Sequence, residues 1–160
     1  MNLKSYLLEE NLDLQKNNLV LFYGENLGLI NYFKEKIKKK SKTILKFTQD
    51  QILKDENIIF NEIKNESLFE SKKNIFIDEV NDKILKIVEE IQPLILENKI
   101  YLYGGILDKK SRLRSYFETE KNCDVVACYK DNEVSIKKII TNHLRDFSGV
   151  TSQVLSILLE

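Results

Sequence analysis

Five short apolar runs punctuate the chain: Leu19-Val20-Leu21-Phe22-Tyr23, Thr43-Ile44-Leu45-Lys46-Phe47, Asn74-Ile75-Phe76-Ile77, Lys99-Ile100-Tyr101-Leu102-Tyr103 and Asp124-Val125-Val126-Ala127-Cys128-Tyr129. Most are continuous rather than alternating in polarity, the pattern of strands covered on both faces, as in a parallel sheet. Between the runs apolar residues recur at helical spacing. Leu29, Phe33 and Ile37 form one stripe, and Ile84, Ile87, Val88 and Ile91 another. Ile52, Ile59 and Ile63 keep the spacing more loosely, and Leu113, Tyr116 and Phe117 follow Ser111, a residue suited to capping a helix start. Strands alternating with helices predict right-handed βαβ units and a three-layer α/β sandwich around a five-stranded parallel sheet. Pro93 falls late in the fourth helical stretch and is expected to kink or end it. Gly104-Gly105 closes the fourth strand.

After Tyr129 the rhythm changes. Lys130-Asp131-Asn132 reads as a short polar linker, followed by helical segments from Val134 to Phe147 and from Val150 to Leu159, with Ser148-Gly149 between them. No strand pattern returns. The expected organisation is an α/β domain over residues 1–130 and the first helices of an all-helical second domain over 131–160. That second domain is read as cut short, because Leu158-Leu159-Glu160 carries no helix stop signal.

Composition narrows the class. A hydrophobic content of 42% over 160 residues is enough for a globular core. Charge is plentiful but balanced, with 25 basic and 25 acidic residues, so no global positive field argues for nucleic-acid binding. No apolar run approaches the roughly 20 residues needed to cross a bilayer, and the N-terminal stretch soon turns acidic at Glu9-Glu10, unlike a secretory signal. A cytoplasmic protein with Cys123 and Cys128 reduced and buried is expected. These two thiols and His143, the single histidine, have neither the spacing nor the number of a zinc framework. No metal and no cofactor are expected.

Two places imitate nucleotide chemistry. The first apolar run leads into Tyr23-Gly24-Glu25-Asn26-Leu27-Gly28-Leu29-Ile30, where a phosphate-binding turn would stand. A P-loop needs Gly, four residues, then Gly-Lys-Ser/Thr. Gly24 and Gly28 are one residue too close, Leu29 and Ile30 replace the lysine and the hydroxyl, and Glu25 repels phosphate. The turn is therefore a degenerate P-loop, and no nucleotide is expected on it. The third run ends in Asp78-Glu79, which resembles the acids that hold magnesium in P-loop ATPases or the acceptor of receiver domains. Acids after a strand are also ordinary turn residues. The alternatives kept are a nucleotide-binding ATPase and a receiver-like domain with Lys130 as its lysine.

Charged stretches read more plainly. Asp108-Lys109-Lys110-Ser111-Arg112-Leu113-Arg114 is either a solvated helix start or a basic patch facing a partner or phosphates. Lys34, Lys36, Lys38, Lys39 and Lys40 read as a solvated helix end, where cations suit the dipole. Leu68 and Phe69 sit together in the polar segment Asn65-Glu66-Ser67-Leu68-Phe69-Glu70-Ser71-Lys72-Lys73. Two adjacent large apolar side chains there either cover the mouth of the sheet or form an exposed anchor for a partner's pocket.

Taken in order, several of these stretches resemble the delta subunit of the bacterial DNA polymerase III clamp loader. The matching pieces are Leu19 to Asn26 with Gly28-Leu29-Ile30, then Glu66-Ser67-Leu68-Phe69 with Lys72-Lys73, then Leu107-Asp108-Lys109-Lys110-Ser111-Arg112-Leu113-Arg114-Ser115-Tyr116-Phe117-Glu118, then Val126-Ala127-Cys128-Tyr129 with Asp131. Order and spacing over about 130 residues carry the likeness more than any single piece. It implies an AAA+/RecA-like first domain with a degenerate P-loop at Gly24 and Gly28, followed by the start of a small helical lid domain, with nothing resembling the family's collar.

The same resemblance implies a role for Ser67, Leu68 and Phe69, the segment that wedges into the beta sliding clamp. Some members carry a further apolar residue before the serine, where this chain has Glu66, which implies a smaller anchor. The implied function is binding the clamp and helping to open it for loading during DNA replication, without hydrolysing ATP. No catalytic activity is implied for the chain itself, although the holoenzyme it would belong to is a DNA-directed DNA polymerase, a nucleotidyltransferase. The implied partners are the clamp and the other loader subunits, delta prime and tau/gamma, with DNA at most indirectly and no membrane.

Overall fold

A computed structural model describes residues 1–64, 72–130, 136–137, 140–141, 144 and 152–157. Its strands are β1 (Asn2–Lys4), β2 (Leu19–Tyr23), β3 (Thr43–Thr48), β4 (Lys73–Val80), β5 (Lys99–Gly104) and β6 (Cys123–Ala127). They form one sheet of order β1-β6-β2-β5-β4-β3, and every pairing is parallel. The helices of this part are α1 (Ser5–Glu10), α2 (Leu27–Lys40), α3 (Gln49–Lys54), α4 (Asn57–Lys64), α5 (Leu85–Ile91) and α6 (Arg112–Thr119).

Strand alternation sorts the core into two layers. Leu19 and Leu21 of β2 join Ile52, Ile59, Ile63, Ile87, Val88, Leu113 and Phe117, contributed by α3, α4, α5 and α6. Val20 and Phe22 face the other way, onto Leu8 of α1 and Ile30, Phe33 and Ile37 of α2. The central strand β2 is buried along its whole length, which is why its sequence is a continuous apolar run. The three-layer parallel α/β fold is therefore as the hydrophobic pattern predicts.

The strand count differs. The sheet has six strands, not five, and the additional one is β1, paired with β6 at the edge. Only Leu3 of its three residues turns inward, so β1 leaves no apolar run to read. The loose spacing of Ile52, Ile59 and Ile63 also has a cause. Two helices carry these residues, and the turn at Asp55–Glu56 between them breaks the phase. A capping box of Thr48 and Gln51 starts the first of them. Pro93 lies in a single 3₁₀ turn, Gln92–Leu94, that ends α5. Cys123 and Cys128 are buried, unpaired thiols whose acidity burial suppresses, pushing both up to about 12.

The chain divides into two compact units, Met1–Cys128 and Tyr129–Glu160. In the second, the Leu144 N–H donates to the Ile140 carbonyl at 2.9 Å, and a helix spans Ser152–Ile157. His143 lies outside the described residues. No described helix is long and apolar enough to cross a membrane.

Candidate functional site

Parallel α/β sheets bind ligands at the carboxyl ends of their strands, and the β2–α2 turn lies there. Gly24 takes φ +144°, and a Cβ on it would sit 2.0 Å from the Cys128 carbonyl oxygen. Only glycine fits so close an approach. That approach lets the turn be stitched to its neighbours. The Gly24 N–H donates to the Gly105 carbonyl at 3.0 Å and the Asn26 N–H to the Cys128 carbonyl at 3.1 Å. The Leu27 N–H donates to the Glu25 carbonyl at 3.1 Å. Asn26 caps α2, its Oδ1 accepting from the Leu29 N–H at 3.0 Å. A phosphate cradle works by leaving such amides free for the ligand. Here the chain's own oxygens already occupy them. Of the two leucines at the turn, Leu29 packs against the core and Leu27 is 61% exposed.

Asp78 and Glu79 lie near the carboxyl end of β4, one strand away from β2 across β5. Asp78 is matched by a cation, but not one supplied by the turn. Lys34, two turns into α2, places Nζ 2.5 Å from Asp78 Oδ1, and both side chains are less than a third exposed. The same ammonium lies 5.0 Å from the centre of the Tyr103 ring. A carboxylate held this way offers neither a free metal ligand nor an open phosphoryl acceptor. Among the described residues no group of three or more His, Cys, Asp or Glu could hold a metal ion. Glu79 is exposed and adopts φ +61°, the one non-glycine residue at positive φ among those described. It stands where the register between β4 and β5 shifts, so the strand kinks as it leaves the sheet.

Two residues beyond β4, Asp82 ties the site together. Its Oδ1 accepts from Ser111 Oγ at 2.6 Å and from the Leu113 N–H at 3.0 Å, and its Oδ2 accepts from the Arg112 N–H at 3.1 Å. Ser111 caps α6, accepting from the Arg114 N–H. An acceptor-rich anion at a helix start satisfies orphan amides and the dipole together. The Ser111 hydroxyl bond, foremost, holds the Asp82 carboxyl below its ordinary value, with burial opposing it and the Leu113 and Arg112 amides assisting.

This arrangement changes the reading of the basic loop. Lys109, Lys110 and Arg112 are exposed. Arg114 is not part of a free patch. It pairs with Glu118 at 2.8 Å, donates to the Leu107 carbonyl at 3.3 Å and lies 5.1 Å from the Tyr23 ring centre. Likewise Lys34 is no solvated helix-end residue, and Lys36 Nζ donates to the Glu9 carbonyl at 2.5 Å.

The segment with Ser67, Leu68 and Phe69 lies outside the described residues, as does Glu66. Its flanks are firmly held. Ile59 and Ile63 of α4 are buried, and Lys73, which opens β4, pairs with Glu62 at 3.3 Å. Three residues that organise this domain escape a reading of the sequence: Lys34, Asp82 and Asp124. Asp124 is fully buried and accepts from the Lys16 and Asn17 amides at 3.0 Å, fixing the approach to β2. Its one sequence signal is an acid set inside an apolar strand.

The chain matches no protein-family model and no curated protein. Among solved structures it is similar to the Bacillus subtilis DNA clamp loader delta protein (YqeN), with a TM-score of 0.66 and 11% sequence identity. The match covers 88% of this chain and 47% of that one, so the chain spans about half the length of the Bacillus protein. At this identity the likeness shows the fold alone: a three-layer α/β domain built on a parallel sheet, similar to that of the Bacillus protein.

Proposed function

We propose that the chain is a clamp-loader delta-type subunit that binds a beta sliding clamp and favours its opening without hydrolysing ATP. The observation that carries this reading is the shared fold with a clamp loader delta protein. The β2–α2 turn supports the non-hydrolysing part, because its amides are spent on Gly105, Cys128 and Glu25 and it supplies neither lysine nor hydroxyl. Leu68 and Phe69, with Ser67 before them, are the proposed anchor in the clamp. The unit Tyr129–Glu160 is the proposed beginning of the helical second domain, and the other loader subunits, delta prime and tau/gamma, are the proposed neighbours. A cytoplasmic location, as part of the DNA polymerase III holoenzyme, goes with this assignment.

A protein that opens a ring by contact does so through its difference in affinity for the open and closed forms. The test is ring opening in the absence of nucleotide, followed by fluorophores placed across the clamp's subunit interface. Added chain is expected to raise the open fraction, with ATP and magnesium leaving the response unchanged. A response that required ATP would overturn the proposal.

A further inference from the structure

The opposite end of the sheet carries a cleft that the proposed function does not use. About 340 Å³ in volume, it opens at the amino-terminal ends of β4 and β5, against the last turn of α2. Gln15, only 7% exposed, lines it, and its Nε2 is buried without a hydrogen-bond acceptor among the described residues. Tyr101 lines it too. Burial pushes its phenol up to about 12, so the hydroxyl stays protonated and donates. The third donor is Lys99, which forms no ion pair with a described residue. At the rim, Lys40 pairs with Asp13 at 3.4 Å and Lys72 with Glu97 at 3.7 Å, and these charges cancel. One cation is left over, together with two neutral donors.

A buried donor without an acceptor is costly. One such donor, Gln15 Nε2, shares the cleft with the Tyr101 hydroxyl and the half-exposed Lys99 ammonium, and three donors on one cleft, one of them cationic, favour an oxygen acceptor of negative charge. The end of α2 opposes an anion through its dipole, but Lys38, Lys39 and Lys40 stand in its last turn and Ser41 Oγ donates to the Ile37 carbonyl. The terminal torsion of a glutamine is soft, so the Gln15 amide can turn its N–H groups towards the cleft.

We infer that this cleft binds a small oxyanion, a phosphate or carboxylate group, held by Lys99, Gln15 and Tyr101. The inference is independent of clamp binding, which uses other residues. The test is titration of the full chain with inorganic phosphate and, separately, with citrate, against sodium chloride of equal ionic strength. It is followed by thermal shift and by the side-chain amide resonances of Gln15. One arm or the other is expected to raise the melting temperature saturably and move the Gln15 amide signals, which tells phosphate from carboxylate. Lys99→Met, at a half-exposed position, is expected to keep the unliganded melting temperature and weaken binding at least fivefold. Gln15→Glu, which sets an acid in place of the amide, is expected to abolish the response. No saturable shift beyond chloride in either arm, or a shift that Lys99→Met leaves intact, overturns the inference.

Discussion

Gly24 and Gly28 look alike in the sequence and differ completely in what they do. A side chain on Gly24 would collide with the Cys128 carbonyl, and its φ of +144° is one that L-residues rarely adopt. Gly24→Ala is therefore expected to cost at least about 2 kcal/mol of stability, since both strain and a severed turn contribute. Gly28 lies in the first turn of α2, and a Cβ there meets only Asn26 Oδ1 at 3.4 Å. Gly28→Ala is expected to be neutral or to gain up to about 1 kcal/mol from helix propensity. Urea midpoints of the two variants separate these outcomes.

Asp82 gives a second residue-scale prediction. Its folded pKa lies below its unfolded one, so it binds its proton less readily in the native state. Its contribution is full above the ordinary carboxylate value of 3.8 and is lost as pH falls through the lower, folded value. The melting temperature of the native chain should exceed that of Asp82→Leu at neutral pH, and the gap should narrow as pH drops below about 4. A gap that stayed constant with pH would mean that the carboxylate charge plays no part.

At the scale of elements, Lys34 and Asp78 couple α2 to β4, 44 residues apart in sequence. In a nucleotide-binding relative of this architecture, ligand and magnesium bridge these elements. Here the Lys34 ammonium joins them through Asp78. Both groups are partly shielded from water, so a double-mutant cycle with Lys34→Met and Asp78→Asn should return a coupling of about 1 kcal/mol, reduced in high salt. A coupling near zero would reduce the pair to a surface contact.

The same elements show what a sequence does and does not reveal. Leu19 to Tyr23 reads as a buried strand because both of its faces are covered, and every residue there is indeed buried. Of the stripe Leu29, Phe33 and Ile37, the last two are buried on α2, whereas Leu29 is only partly buried and Ile30 takes the inner place beside it. The three-residue β1 has no such signal, because edge strands need only one inward residue. Lys34 reads as one solvated lysine among five because its partner is remote in the chain. Asp82 and Ser111 hide for the same reason, 29 residues apart. Arg114 was half legible: its i,i+4 spacing to Glu118 is local, but the Tyr23 ring that it covers is not. Periodicity reports burial, whereas side-chain partnerships depend on topology that periodicity does not encode.

For the whole molecule, the degenerate turn and the self-neutralised Asp78 make one picture. Three amides of the β2–α2 turn and the Asp78 carboxylate are all engaged by partners within the chain. A domain of this kind needs no nucleotide to hold its shape. Millimolar ATP with magnesium should leave the melting temperature unchanged, whereas a ligand at 100 times its Kd would stabilise the chain by about 2.7 kcal/mol.

The central claim is that the chain grips a sliding clamp through Leu68 and Phe69. Burying two side chains of this size in a partner's pocket contributes on the order of 2–5 kcal/mol. The direct measurement is a titration of the beta sliding clamp with the full chain and with the double variant Leu68→Ala, Phe69→Ala, without nucleotide. The account predicts saturable binding by the native chain and a loss of at least about thirtyfold in the double variant, roughly 2 kcal/mol. An affinity that fell by less than about threefold, roughly 0.6 kcal/mol, would contradict it.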